Sequence, residues 1–437
     1  MATETEPTRR VPPTPGRGVP RRLRNFLATE ASGGILLLAA AIVALVWANS
    51  PWSASYTSLW HTDVTVTFGR YVIREDLQHW VNDCLMALFF FVVGLEIKQE
   101  LVHGKLRDAP TAAMPALAAL GGMVVPAVLY FLVTAGGDGA RGWGIPMATD
   151  IAFAVGVVTL LGPRVPASLK LFLLTLAIVD DIGAIIVIGI FYSSGLQPEF
   201  LGVAAAIVAM IVVLSRSGVV WLAPYLALGA ALWLATYASG VHATIAGVVL
   251  GLLTPARRLF PASVAREWAD DLEDDPSAQE MQAMTRLARH SVSPAERTAH
   301  LLHPWSSFLI VPLFALANAG VSITADAFEG AGAAAVSAGV MLGLVAGKTL
   351  GITGAAWLGM RLGVARLPEG ADWKMMFAIA TVAGVGFTVS LFVAELAFEA
   401  GALQDAAKLG VLAGSTVAAV IGGIALSRAC RDKAMPA

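Results

Sequence analysis

Charge is what this 437-residue chain has least of. Asp, Glu, Lys and Arg make up 14% of it, against about 25% in a soluble globular domain. The runs 31–50 and 109–137 hold no charged side chain at all. Cysteine is scarce too. Cys84 and Cys430 offer neither a disulfide framework nor a metal-ligand spacing. There is no excess of positive charge either. A net charge of −2 removes the case for a nucleic-acid surface. What fills the chain instead is apolar: 57% hydrophobic residues and a mean hydropathy of +0.72. About 20 mostly apolar residues are enough to cross a bilayer. Lipid satisfies no backbone polar group, so only helices or closed barrels cross it. Runs this long imply helices, and the expected class is an all-α polytopic membrane protein.

Twelve apolar segments can be marked, at 31–49, 77–97, 110–135, 142–163, 169–193, 199–215, 219–238, 240–254, 304–324, 332–360, 373–398 and 407–427. Six arginines precede the first (Arg9, Arg10, Arg17, Arg21, Arg22 and Arg24). Ala48-Asn49-Ser50 is a poor match to a signal-peptide cleavage site, so the first segment reads as a retained span. With the N-terminus in the cytoplasm, alternation puts 24 of the 29 Lys and Arg residues on the cytoplasmic side. Arg70, Arg74, Arg141 and Lys408 fall on the other side, and Lys348 falls inside a span. That asymmetry is what the positive-inside rule demands. The expected organisation is a basic cytoplasmic tail over 1–30, a transmembrane domain over 31–427 and a cytoplasmic C-terminal tail over 428–437. The membrane is a bacterial inner membrane.

Two connections carry patterns of their own. Residues 62–74 alternate, with Val64, Val66 and Phe68 against Thr65 and Thr67, and Gly69-Arg70 in the middle. This predicts a periplasmic β-hairpin. Its exposed edge could pair with a second copy and make a homodimer. The loop 255–303 is long and charged. Ser277-x-x-Glu280 and Ser293-Pro294-x-Glu296 resemble capping boxes, which predicts one or two short cytoplasmic helices there.

Against this background the ionisable residues inside apolar runs stand out. A charge near the bilayer centre costs on the order of 3 kcal/mol on insertion scales. Asp150, Asp180, Asp181 and Lys348 all lie well inside apolar segments, and Asp83 lies nearer the end of one. They could neutralise one another as structural pairs, but one lysine cannot neutralise three aspartates. At least one carboxylate needs a proton or a cation. Asp180 and Asp181 are neighbours on one helix, so their side chains diverge by about 100°. One can face Lys348 while the other faces a cavity. Asp150 follows Thr149, just after Gly142, Gly144 and Pro146, a composition that breaks a helix. A matching interruption runs from Ala383 to Thr388. Broken helices aim their dipole ends at the midplane, where an Asp offsets the positive ends and a Lys the negative ones. Carboxylate, hydroxyl and carbonyl oxygens suit a hard monovalent cation, not a transition metal. A carboxylate withdrawn from bulk water can choose between a proton and sodium near neutral pH. Opened alternately to each side, such a site is an exchanger.

The runs Gly144-Ile-Pro-Met-Ala-Thr-Asp-Ile-Ala-Phe-Ala154, Leu176-Ala-Ile-Val-Asp-Asp-Ile-Gly-Ala184, Gly240-Val-His-Ala-Thr244, His303-Pro-Trp305, Pro312-Leu-Phe-Ala-Leu-Ala-Asn-Ala-Gly320 and Gly347-Lys348 carry a specific resemblance. The chain resembles the NhaA family of Na⁺/H⁺ antiporters over about 31–426. That family is itself a standard example of a transporter with paired broken helices. The resemblance implies about 12 transmembrane helices and inverted repeats with two broken helices crossing near the midplane. It implies electrogenic exchange of Na⁺ or Li⁺ for H⁺ by alternating access, no cofactor, lipid surroundings and a role in pH and sodium homeostasis. Asp181 would be the principal sodium ligand and proton carrier. Asp180 would contribute to the same ion site and pair with Lys348. Thr149 and Asp150 would line the broken span. Glu96, Glu100 and His242 match positions linked to pH response. Departures are Thr349 where the family often has Pro, Ala299 where it often has Glu, Glu395 in place of a small polar residue, and a longer loop before segment 9. They bear on the pH profile rather than on the exchange chemistry.

Three other readings fit less well. An intramembrane aspartyl protease needs two facing aspartates and usually Gly-x-Gly-Asp, which is absent, and gives Lys348 no role. A passive channel would show repeated filter loops. A sodium-coupled symporter also needs oxygen ligands in broken helices, and is the nearest alternative.

Overall fold

Each apolar segment contains helix in the computed structural model, and two of them lose it part-way along, at 148–150 and at 383–386. The residues described are 31–68, 71–134, 137–161, 164–193, 195–219, 221–257, 277–323 and 332–434. The arginine-rich tail, Gly69-Arg70 and residues 258–276 of the long loop lie outside them.

In chain order the elements begin with α1 (Ala31–Ala48), a short α2 (Ser53–Trp60), and strands β1 (Asp63–Phe68) and β2 (Tyr71–Asp76). The long helix α3 (Leu77–Val102) and α4 (Ala109–Thr134) follow. A 3₁₀ stretch, Asp138–Met147, leads to α5 (Ile151–Leu160). Then come α6 (Ala167–Phe191), α7 (Pro198–Arg216), α8 (Leu222–Ala238) and α9 (Thr244–Leu253). After the loop are α10 (Ala278–His290), α11 (Pro294–Asn318), α12 (Ala333–Arg361), α13 (Trp373–Val382), α14 (Phe387–Ala397) and α15 (Ala402–Ala434). Among the described residues seven helices are long and apolar enough to cross a membrane, or up to ten spans if each bent pair counts once. The protein is therefore mostly helical, with one small two-stranded sheet.

Local chemistry sets the ends. Ser277 and Glu280 form a complete capping box at the start of α10. At Ser293 the side chain accepts from the Glu296 amide, but the helix it starts does not stop. It runs on through Pro304 to Asn318, so the second cap opens a membrane-type helix rather than a separate loop helix. The hairpin is antiparallel with Phe68 opposite Tyr71 and Asp63 opposite Asp76. Its second strand reaches two residues past the expected end at 74, because Glu75 and Asp76 still find partners in Val64 and Asp63. At the other terminus α15 continues to Ala434, past the boundary expected at 427.

The helices pack in two groups. One holds α4, α5, α6 and α12 to α15; the other holds α3, α7, α8, α9 and the first part of α11, while α1 packs on α5 and on the second part of α11. Within the first group α4 and α12 approach so closely that a Cβ at Gly121 would strike the carbonyl of Gly351, and one at Gly351 the carbonyl of Gly121. That contact is possible only without side chains, and Lys348, one turn before Gly351, runs beside it, its Cδ 3.7 Å from where a Cβ on Gly122 would stand. Two segments are bent by 47° each, at 148–150 between the 3₁₀ stretch and α5, and at 383–386 between α13 and α14. The two breaks lie against each other: the Asp150 amide donates to the Val385 carbonyl at 2.7 Å. A Cβ at Gly386 would come within 3.1 Å of the Ala148 carbonyl.

Candidate functional site

At the crossing of the two breaks, backbone has left the helix and needs partners, and side chains supply them. Asp150 caps α5, with Oδ1 accepting from the Phe153 amide at 3.0 Å. Its Oδ2 accepts from the Thr388 amide at 3.1 Å and the Thr388 hydroxyl at 2.6 Å, in the first turn of α14. One carboxylate thus serves the positive ends of two half-helices. The role of Thr388 was not legible in the sequence beyond its place in the interruption.

Next to it stands a buried triad. Lys348 Nζ lies 2.6 Å from Asp180 Oδ2, with both side chains wholly buried. Lys348 also donates to the Thr149 hydroxyl oxygen at 2.9 Å. Thr149 Oγ1 lies 2.7 Å from Asp180 Oδ2 and 2.8 Å from the Ala383 carbonyl. A hydroxyl has one proton to give, so Thr149 donates to one or the other. The lysine expected to offset the negative end of a broken helix bonds to Asp180 and Thr149 rather than to a helix-end carbonyl. Thr149 stands between Lys348 and the carbonyl at the end of α13. Asp180 Oδ1 is buried with no hydrogen-bond partner among the described residues.

Asp181 faces elsewhere. It takes no hydrogen bond from the described residues and lines a cavity of about 510 Å³. Thr149, Asp150, Thr175 and Thr388 share that lining, with Glu96 and Glu100 of α3. Gln99 and His303, to which the sequence assigned no role, line it too. His303 Nε2 is 3.9 Å from Glu96 Oε1, beyond hydrogen-bond reach. So the structure brings Asp150, Thr149 and Asp181 to one cavity, buries Asp180 and Lys348 behind it, and puts Glu96 and Glu100 along the same wall. It does not bring His242 there. That ring lies just before α9, its Nε2 2.8 Å from the Tyr192 carbonyl, outside the cavity lining. Asp83 sits near the hairpin end in a π-helical turn, also outside the lining.

Chemically, the arrangement separates two adjacent carboxylates into unlike states. One is neutralised by an ammonium group. The other faces the cavity with its oxygens unused by donors among the described residues. Residues 24–426 match the family described as Na⁺/H⁺ antiporter 1. The chain belongs to the Na⁺/H⁺ antiporter 1 family. It is 48% identical to Na⁺/H⁺ antiporter NhaA 3 of Frankia alni, over 95% of this chain and 92% of that one. It is 47% identical to Na⁺/H⁺ antiporter NhaA of Rhodopirellula baltica, over 94% and 95%. To NhaA of Oleidesulfovibrio alaskensis it is 46% identical, over 93% of each. With this membership and its apolar helices, the antiporter-family chain is a multi-pass membrane protein.

Proposed function

We propose that this protein exchanges Na⁺, or Li⁺, for H⁺ across a bacterial inner membrane, electrogenically and by alternating access. The observation that carries the reading is the contrast between the two neighbouring aspartates. Asp181 has free carboxylate oxygens at a cavity, while Asp180 is held by Lys348. Asp181 is the carboxylate on which a proton and the transported cation compete, and Thr149 and Asp150 line its approach. Asp180 contributes to the ion site by trading its bond to Lys348 for a proton, which supplies the extra charge that makes the cycle electrogenic. Glu96 and Glu100, on the cavity wall, tune the response to pH. His242, bonded to a main-chain carbonyl away from the cavity, has less support in that role.

The same reading takes each bent pair and each of the two shorter apolar helices as one span. That gives twelve crossings with both termini in the cytoplasm. Two breaks with equal 47° bends support an inverted repeat. The hairpin is a two-stranded sheet, so each strand has an outer edge to offer a second copy. The test is ion flux in proteoliposomes. A sodium gradient imposed on vesicles holding the full chain should drive proton movement reported by an internal pH dye, with a lithium gradient doing the same. Vesicles showing no sodium-dependent proton flux at any pH from 6 to 9 would end the proposal.

A further inference from the structure

The cavity lies in a seam between the two helix groups. Its walls come from α3 and α11 on one side and α5, α6 and α14 on the other. At the hairpin end the same seam is shut by two layers. The inner layer is aromatic. Phe392 of α14 meets Phe90 of α3, ring centroids 5.4 Å apart, and Phe314 of α11 at 6.2 Å.

The outer layer is polar and largely buried. Gln78, at the start of α3, donates from Nε2 to Asn318 Oδ1 of α11 at 3.0 Å and to Glu395 Oε1 of α14 at 3.3 Å. Its two amide hydrogens thus reach one partner on each side of the seam. Both partners are fixed. Asn318 is 1% exposed and exchanges amide bonds with Asn82 of α3. The Glu395 carboxylate is ion-paired with Lys408 of α15, and its Oε2 accepts from Gln404 at 3.0 Å. The Glu395 and Lys408 side chains are only 14% and 7% exposed. Keeping a full charge pair there is expensive unless its bonds are complete. Lys408 and Gln404 complete them on one side of the seam, and Gln78 does so on the other. From Thr388, bonded to Asp150, to Glu395 is seven residues of α14, or about two helical turns and 10 Å. A rigid helix therefore joins the crossing of the two breaks to this polar layer.

We infer that Gln78 and Glu395, with Lys408 holding the carboxylate in place, are a latch across the seam. It keeps the hairpin end closed while the opposite end is open, and it parts when the cycle exposes the site to the hairpin side. These are positioning residues and not ion ligands. The inference rests on the antiport reading, since only alternating access requires both ends of the seam to open in turn. It also gives a use to Glu395, where the family often carries a small polar residue, and to Lys408.

The experiment uses the full chain with Cys84 and Cys430 replaced by Ser and a single thiol introduced by Ala394→Cys. Ala394 is wholly buried in α14 beside the latch. In oriented vesicles, a charged, membrane-impermeant thiol reagent is applied from the hairpin side and the labelling rate measured. Gln78→Glu sets a carboxylate against Glu395 and should raise that rate at least tenfold. Gln78→Leu, which removes the bond without adding charge, should raise it about threefold and keeps the test available if the charged variant does not fold. Gln78→Glu combined with Glu395→Gln restores one amide facing one carboxylate, and should return the rate to within twofold of the parent. Latch variants that fold and label at the parental rate would overturn the inference, as would a swap that labels as fast as Gln78→Glu. Parental flux is measured in the same vesicles. Normal sodium-driven proton flux with labelling indifferent to the variants removes the latch alone. Absent flux with the expected labelling pattern removes the antiport reading and leaves the closure.

Discussion

Replacing Lys348 by Ala should destabilise the protein in a way that depends on pH. Both members of the Lys348–Asp180 pair are fully buried, with a 2.6 Å contact between them. Without the lysine, Asp180 keeps only the Thr149 hydroxyl for one oxygen, and the other oxygen already has no partner among the described residues. An uncompensated buried charge of this kind costs about 3–5 kcal/mol. Trimming the stem removes three buried methylenes at about 0.8 kcal/mol each, or about 2 kcal/mol more. The full deficit, about 5–7 kcal/mol, applies only while Asp180 stays ionised. If it takes up a proton the charge is gone, and mainly the packing loss of about 2 kcal/mol remains. The deficit relative to the parent should therefore be largest in alkaline buffer and shrink as pH falls. The double change Asp180→Asn with Lys348→Gln puts two neutral amides in contact. It should recover most of the loss, because replacing both partners leaves no orphaned charge. Thermal unfolding of purified protein in detergent, followed by loss of the monodisperse peak at pH 6, 7 and 8.5, gives the order parent, double, single. A double variant no more stable than Lys348→Ala would refute the pairing as the source of the stability. So would a single-variant deficit that is the same at all three pH values.

Asp181→Asn should abolish sodium-driven proton flux while leaving the unfolding temperature within a few degrees of the parent. Its carboxylate makes no hydrogen bond among the described residues that the fold would lose, and flux near the parental level would remove it from the ion path. In parental vesicles the apparent sodium affinity should weaken as pH falls, and raising sodium should move the onset of activity to lower pH. That follows from competition of two ions for one carboxylate, and an onset fixed at saturating sodium would assign pH control to Glu96 and Glu100 instead. Asp150→Ala removes the acceptor for the first turns of both α5 and α14 and should cost about 2 kcal/mol, at roughly 1 kcal/mol per cap. Asp150→Asn, which keeps one carboxamide oxygen, should cost less, and equal unfolding temperatures for the two would discount the capping role.

The sequence was a good guide wherever one side chain or one local pattern decides the outcome. Apolar runs with no charge leave helix as the backbone solution in lipid, so 109–134 could be read as helix without any knowledge of its neighbours. Gly142, Gly144 and Pro146 before one break, and Gly384 and Gly386 at the other, marked the interruptions, because proline's missing amide donor and glycine's free backbone torsion act locally. The hairpin followed from alternation with a Gly at its turn. The second capping signal, at Ser293, does start a helix, and of the one or two short loop helices expected α10 is the one that stands by itself. A cap marks where a helix begins, and its length depends on what the later residues pack against.

What the chain could not announce by itself was rotation and partnership. Asp180 and Asp181 are chemically identical neighbours, and the residues alone required only that they diverge by about 100°. The family resemblance proposed which one pairs with Lys348. The stem of Lys348 runs beside the bare glycine contact of α4 with α12 and its ammonium group reaches Asp180, and which aspartate turns that way is fixed by helix packing. Similarly, the family resemblance put His242 among the positions linked to pH response. The fold bonds it to the Tyr192 carbonyl instead. Gln78, Asn318 and Glu395 are 240 and 317 residues apart as counted from Gln78, and no local pattern links them. Secondary structure and membrane residence follow from interactions among near neighbours in the chain. Which carboxylate is left free at the cavity, and what closes the seam beyond it, depend on side chains meeting across helices. That meeting is set by how helix surfaces fit together in three dimensions.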